Sequence, residues 1–198
     1  MGKEKEKKIL EEGPRVIGIG STGHCVGCTH FAIMMANYLA GYRRRKTALL
    51  EWNRSGDFEK LEIACTGKVR REKHFRVLDV DYYKAAGTTE FSGVLNGNYD
   101  DILIDFGVLK EERISEFLRC EKQFVIGSFS EWQETAFREF IQKHRTEKER
   151  WNYLAVFGSE ETRREFKRRP GIVSERIPFS VDAFSVTKEC SRFFERFV

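Results

Sequence analysis

Four side chains that commonly bind soft metals lie within seven residues, namely His24, Cys25, Cys28 and His30. Two thiolates and two imidazoles would complete a tetrahedral zinc set, and a Cys-x-x-Cys pair at a helix start also suits thiol chemistry. One short loop rarely wraps four ligands round one ion, however, and no second cysteine pair follows at the usual spacing. Zinc is therefore disfavoured, and a metal- or thiol-based sensor remains one hypothesis. The other cysteines are isolated: Cys65, Cys120 and Cys190.

The same segment, "GSTGHCVGCTH" (20–30), has the outline of a phosphate-binding loop between an apolar strand and an apolar helix. Gly23 and Gly27 would let the backbone curl so that its N–H groups face phosphate oxygens. Thr29 stands where a hydroxyl would hold Mg²⁺. Cys28 occupies the lysine position of such a loop and brings no charge. The missing charge-assisted contact should weaken phosphate binding by about 1.5–3 kcal/mol.

The composition favours one folded domain. The chain has 198 residues, of which 40% are hydrophobic and 17 are phenylalanine. No apolar run reaches the roughly 18 residues that a membrane-spanning helix needs. The charged start contains no apolar secretion core, so we expect a mobile leader at 1–13, a single domain at 14–198 and a cytoplasmic protein with reduced cysteines.

Basic residues cluster at 43–46, 68–73 and 162–170, and the net charge is +4. Such clusters can bind nucleic acid or anionic lipid. Acidic residues are interleaved throughout, which is typical of solvated helix faces and loops. The pattern therefore gives only weak support to a nucleic-acid or membrane surface.

Short apolar runs alternate with longer amphipathic segments along the chain. Consecutive apolar residues indicate strands buried on both faces, as in a parallel sheet covered by helices. We therefore predict an α/β fold, a three-layer, doubly wound, mostly parallel sheet of about seven strands, with the loop at its carboxyl edge. The predicted strands are 15–20, 46–52, 75–80, 101–106, 123–128, 153–158 and 174–178. The predicted helices are 29–40, 55–64, 111–120, 130–144, 160–168 and 184–197.

Three further stretches extend the comparison: "FAIMMANYLAGYRRRKTALLEWN" (31–53), "YDDILIDFG" (99–107) and "IPFSVDAFSV" (177–186). With the loop, they resemble the ParA/MinD group of P-loop ATPases, in the SIMIBI class, from about residue 15 to the end. The resemblance implies a P-loop fold that binds ATP or ADP with Mg²⁺. It also implies a homodimer, a protein partner, and in some members a peripheral location at the membrane.

Site residues follow from this resemblance by position. Thr29 would contact Mg²⁺ directly and Asp105 through water, which also makes Asp105 a catalytic candidate. Gly107 would approach the γ-phosphate, and Pro178 and Phe179 would lie near the adenine. The nucleotide loop would comprise Gly23, His24, Cys25, Val26, Gly27, Cys28, Thr29 and His30.

The departures from the family pattern all affect this site. Both family lysines are missing, at Gly23 and Cys28, and the first loss puts an ATP-bridged dimer in doubt. Glu51 and Asn53 replace an Asp-x-Asp pair, so Glu51 is a shifted candidate for the switch carboxylate. Gly158 and Ser159 stand where an adenine-binding Asn is expected.

These losses indicate a degenerate ATPase rather than an active enzyme. The hypothesis is a non-catalytic or weakly catalytic nucleotide-binding scaffold or regulator of a bacterial assembly, of the partitioning or pilus-localisation type. The alternatives are an active ATPase with a lysine-less loop, in which another basic side chain supplies the charge, and the metal- or thiol-based sensor.

The C-terminal stretch places Val186, Cys190, Phe193, Phe194 and Phe197 at helical spacing. Some relatives of MinD use such a terminal helix on membranes. Few basic residues flank this one, so we favour packing of its phenylalanine rings on the sheet.

Overall fold

The computed structural model describes residues 13–146, 150–168 and 174–198. Strands and helices alternate along it, as predicted. The strands are β1 (Arg15–Ser21), β2 (Thr47–Glu51), β3 (His74–Val77), β4 (Val80–Tyr83), β5 (Asp101–Val108), β6 (Lys122–Ser128), β7 (Trp151–Val156) and β8 (Ser174–Arg176). The helices are α1 (Cys28–Asn37), α2 (Asp57–Thr66), α3 (Thr88–Leu95), α4 (Glu111–Phe117), α5 (Glu134–Lys143), α6 (Glu160–Arg168) and α7 (Lys188–Phe194).

These strands form a single sheet in the order β3-β4-β2-β5-β1-β6-β7-β8. Every neighbouring pair is parallel except β3 and β4. In such a sheet the carboxyl ends of β2, β5 and β1 lie side by side at one edge, where ligands of doubly wound folds bind. The predicted fold class is confirmed.

The prediction of one strand over 75–80 was wrong. The chain turns at Leu78, which adopts a left-handed conformation with φ 52°, and returns as β4 antiparallel to β3. The apolar run therefore contains a hairpin instead of one strand, and the sheet has eight strands among the described residues. The segment 81–99, for which the sequence predicted no element, supplies the end of β4 and helix α3.

Both faces of the sheet are covered. Along β5, Leu103 belongs to a core shared with α1, α2 and α7, while Ile102 and Ile104 belong to a core shared with α3, α4 and α5. Alternate residues thus enter different cores, which explains why the strand is apolar at consecutive positions. The three-layer arrangement follows from these two cores.

Helix α7 packs on the domain through its aromatic rings. The ring centroid of Phe194 lies 5.6 Å from that of Phe31 and 5.2 Å from that of Tyr38, and Phe193 is also buried. Tyr38 belongs to a π-helical turn, Tyr38–Tyr42, that continues α1. The predicted packing of these phenylalanines is confirmed, so their rings are not available to lipid.

Two predictions extend beyond the described residues. The leader 1–13 does so except for Gly13, and the basic cluster at 162–170 is described only to residue 168. In the other two clusters, the Arg45 side chain pairs with the buried Asp101, whereas Arg44, Arg70 and Arg71 are exposed. No helix in the described ranges is long and apolar enough to span a bilayer.

Candidate functional site

A cavity of about 740 Å³ opens at the carboxyl edge of the sheet. Three segments line it. The first is the loop after β1 with the start of α1, the second is the loop after β2, and the third is the end of β5 with the residues that follow. Since β5 lies between β2 and β1, its last residues form the middle of the cavity. The predicted loop residues Gly23 to His30 all contribute to the lining.

The loop backbone presents free donors to this cavity. Gly27 precedes α1 in a left-handed conformation, with φ 76°, and no side chain caps the helix. Cys25 is also left-handed, with φ 58°. Within the described chain, no backbone N–H of residues 23–30 donates to a protein acceptor; the first helical bond runs from Phe31 N–H to Gly27 C=O. A run of unpaired N–H groups at a helix start suits an anion.

Asp105, on β5 two residues before Gly107 of the cavity lining, is completely buried. Its Oδ2 accepts from the Thr29 hydroxyl at 2.6 Å. Its Oδ1 accepts from the Cys28 thiol at 3.3 Å and from the Gly107 N–H at 2.9 Å. Burial raises the pKa of Asp105 above its ordinary value even though these bonds oppose the shift, and the nearby Glu51 carboxylate adds to the rise. The structure thus brings together Thr29, Asp105 and Gly107, and their roles toward Mg²⁺ and the γ-phosphate stay a prediction.

The Cys28 thiol is held in its protonated form. Burial, followed by the charge of Asp105, raises the pKa of Cys28 well above its ordinary value. Thiol reactivity requires the thiolate, so this environment opposes nucleophilic or redox chemistry at Cys28.

The four proposed soft ligands do not form a metal site. Cys25 and His24 are exposed, whereas Cys28 is buried against Asp105. Among the described residues, no group of three His, Cys, Asp or Glu side chains is arranged to hold a metal ion. The zinc hypothesis for His24, Cys25, Cys28 and His30 therefore has no support from the geometry, because one thiol turns inward while other members of the set face solvent.

Glu51 lies beside Asp105 in register but does not line the cavity. Its buried Oε1 accepts from the N–H groups of Asp57 and Phe58, at 2.7 and 3.2 Å, at the start of α2. Its Oε2 accepts from the Ala85 N–H at 2.9 Å. These bonds tie β2 to α2 and to the end of β4, which gives Glu51 a structural role.

Gly107 is a position that requires glycine. Its φ of 62° is left-handed, and an added Cβ would lie 3.2 Å from the Cβ of Asn53. The Asn53 amide donates to the Asp105 carbonyl at 3.0 Å, so Asn53 is held over this glycine. A side chain at position 107 would therefore strain the backbone and crowd Asn53.

The predicted adenine residues lie elsewhere. Pro178 and Phe179 follow β8 and are absent from the cavity lining, and the Phe179 side chain is 81% exposed. Their placement beside a base stays a prediction.

Sequence reasoning did not identify the basic side chains of this cavity. Arg54 follows β2, and Lys110 and Arg113 follow β5; all three belong to the lining. The available signal was a Lys-x-x-Arg spacing directly after the strand that carries Asp105. It resembles an ordinary charged helix start, and only the strand order shows that it faces the loop.

Among the solved structures that resemble the chain are a plasmid partition protein, a ParA family ATPase and a synthase. A putative plasmid partition protein from Borrelia burgdorferi, bound to AMPPNP, superposes with a TM-score of 0.63 and 16% identity, over 93% of this chain and 96% of that one. A ParA family ATPase from Chlorobium tepidum gives 0.58 and 17%, over 86% and 87%. Cobyrinic acid a,c-diamide synthase from Mycobacterium smegmatis, with an ATP analogue and magnesium, gives 0.61 and 12%, over 91% and 90%.

No protein-family model matches the chain, and no curated protein sequence matches it. At identities below 20%, the likeness to solved structures establishes the fold. The chain has the fold of the ParA-type P-loop ATPases, as the sequence motifs indicated.

Proposed function

We propose that this protein is a nucleotide-binding scaffold or regulator with impaired or lost ATP hydrolysis. The observation that carries the proposal is the hydrogen bond from Cys28 to Asp105. A P-loop lysine would place a positive charge beside the terminal phosphates, and charge stabilisation provides most of the catalysis in phosphoryl transfer. A protonated thiol at this position supplies none.

Nucleotide binding is supported by the free N–H groups of the loop, by the cavity and by the ligands present in two structures of the same fold. The Thr29 hydroxyl and the Asp105 carboxylate place oxygen atoms 2.6 Å apart. Mg²⁺ prefers oxygen ligands, so the residues present fit this ion. When bound, Mg²⁺ would neutralise phosphate charge. Backbone donors and the helix start would hold the inner phosphates.

The biological role that we propose follows from the likeness of fold to plasmid partition proteins. A site that binds without turnover suits a protein that holds a partner in one conformation. We therefore place it as a scaffold or regulator of a bacterial assembly, acting through a protein partner.

A calorimetric titration with ATP and with ADP, each with Mg²⁺, tests the proposal beside an assay of phosphate release. We expect nucleotide binding without measurable turnover. Absence of binding would overturn the nucleotide-binding part. ATP turnover that is lost in Asp105→Ala would instead establish an active ATPase.

That second candidate, an ATPase with a lysine-less loop, is favoured by one observation. Arg54, Lys110 and Arg113 line the cavity and can supply positive charge from outside the loop. The turnover assay decides between the two functions.

A further inference from the structure

One carboxylate connects two walls of the cavity. Oε2 of Glu116, on α4, accepts from the Trp52 indole N–H at 2.6 Å and from the Arg113 guanidinium at 2.8 Å. Trp52 directly follows β2, and both Trp52 and Arg113 line the cavity. Burial raises the pKa of Glu116, but the bonds from Arg113 and Trp52 outweigh it, so the carboxyl stays ionised at neutral pH.

Arginine and lysine side chains enter the cavity from two of its walls, Arg54 after β2 and Lys110 and Arg113 after β5. Strand β5 lies between β1 and β2, the strands that lead to the other two walls of the cavity. The loop itself carries no lysine. Of the acidic side chains in the lining, Asp57 is paired with Lys60 at 2.9 Å, which leaves Glu112 as the other carboxylate. An anion that extends from the loop across the cavity therefore approaches these cations.

We propose that Arg113 breaks its ion pair with Glu116 and binds the terminal phosphate of a nucleoside triphosphate. Lys110 lies beside this phosphate. This inference rests on the proposed function and adds the ligand class to it. The inner phosphates lie against the N–H groups of residues 23–30, and the terminal phosphate competes with Glu116 for Arg113. The site consequently distinguishes a triphosphate from a diphosphate.

The energetic comparison favours this exchange. Arg113 and Glu116 form a partly exposed i,i+3 pair, with side-chain exposures of 36% and 40%. Pairs of this kind change an equilibrium by about twofold. A guanidinium can make two parallel bonds to one phosphate, and such a charge-assisted contact is worth about tenfold or more. Binding of Arg113 to the phosphate is therefore favoured over its ion pair with Glu116.

Release of Arg113 also alters the surroundings of Trp52. The indole shares Glu116 Oε2 with the guanidinium, so a change in this carboxylate reaches the loop after β2. Triphosphate binding should shift the fluorescence of Trp52 more than diphosphate binding does. The same signal should vanish in Trp52→Phe.

The test is a calorimetric titration of the full chain with ATP and ADP, each with Mg²⁺, in three variants. Arg113→Gln should weaken ATP binding about tenfold and change ADP binding by less than about twofold. Glu116→Gln frees Arg113 and keeps an acceptor for Trp52, so it should strengthen ATP binding. Arg119→Gln removes an equal charge two residues beyond the end of α4, outside the cavity lining, and should change neither.

Arg113→Gln and Glu116→Gln should change ATP affinity in opposite directions if Arg113 binds the phosphate. If the ion pair were purely structural, either substitution would break it and both would change ATP affinity in the same direction. Equal losses for ATP and ADP in Arg113→Gln, or no loss, would overturn the inference while nucleotide binding by the natural protein still upheld the proposed function. If the natural protein bound neither nucleotide, both would fail. Arg113→Lys, which keeps the charge, provides a second variant should the glutamine variant fold poorly.

Discussion

The Cys28 thiol, from the first residue of α1, donates to Oδ1 of Asp105 on β5 at 3.3 Å, and both side chains are buried. A P-loop lysine would place a charge next to this carboxylate. Here a neutral donor meets a carboxyl whose pKa is raised by burial. Together with the Thr29 hydroxyl and the Gly107 N–H, the thiol gives the buried carboxylate three donors.

Replacing Cys28 with lysine should restore phosphate affinity. Cys28→Lys is expected to bind Mg-ATP about ten- to a hundredfold more tightly than the natural protein, since a charge-assisted contact contributes about 1.5–3 kcal/mol. Calorimetry measures the change. Cys28→Ala, which removes the thiol without adding charge, is the matched control. Equal affinity in the lysine and alanine variants would contradict the assignment of Cys28 to the lysine position.

Thiol accessibility should divide the cysteines into two classes. Cys25 and Cys65 are exposed, while Cys28, Cys120 and Cys190 are buried. Titration of the native protein with a chromogenic aromatic disulfide should therefore show two fast-reacting thiols, and unfolding should reveal the rest. Burial raises the pKa of Cys28 and that of Cys120, the latter to about 12, which slows these two further.

Cys25→Ser should leave one fast thiol. If Cys28 reacted as fast as Cys25, the thiol would not be packed against Asp105, and the sensor hypothesis would regain weight.

The free energy of unfolding should depend on pH through the ionisation of Asp105. Because the pKa of Asp105 is raised above 3.8 in the folded state, folding retains a proton that the unfolded chain releases. This contribution is fully present below pH 3.8 and is lost as the pH rises through the folded-state pKa. The free energy of unfolding of Asp105→Asn, minus that of the natural protein, should therefore grow by up to about 1.4 kcal/mol per pH unit in this window.

Urea unfolding from pH 4 to 8 measures the difference. Asp182→Asn is the control: because a hydrogen bond from Ser185 lowers the pKa of Asp182 below 3.8, its contribution changes only below that pH, and the difference should stay level from pH 4 to 8. A difference for Asp105→Asn that does not vary with pH would show that the carboxyl is not perturbed.

The terminal helix should contribute strongly to stability. Phe194 is completely buried, so Phe194→Ala should lower the free energy of unfolding by about 3–5 kcal/mol. Phe179, which is 81% exposed, supplies the same substitution in a solvated setting, and Phe179→Ala should change stability by less than about 0.5 kcal/mol. Equal effects in thermal or urea unfolding would contradict the packing of α7 on α1.

Periodicity predicted most of the fold because buried parallel strands are apolar at consecutive positions. The strands around β1, β2, β5, β6 and β7 follow this pattern directly. The sequence did not predict the β3–β4 hairpin because its turn, at Leu78 and Asp79, contains no glycine or proline. Nothing in the local sequence marks Leu78 as left-handed, because the pairing of β3 with β4 stabilises that conformation.

The sequence by itself determined the architecture and the absence of a lysine from the loop, since both depend on residue types at short spacing. It located Thr29 and Asp105, which lie 2.6 Å apart between their oxygen atoms. It could not show that Cys28 turns inward, that Glu51 caps α2, or that Arg113 faces the loop. Those facts depend on strand order and side-chain direction, which bring Cys28 together with Asp105, 77 positions along the chain, and place Arg113 in the same cavity as the loop. Only the tertiary structure decided which charges share the cavity, because electrostatic interactions act through distance in space rather than distance along the chain.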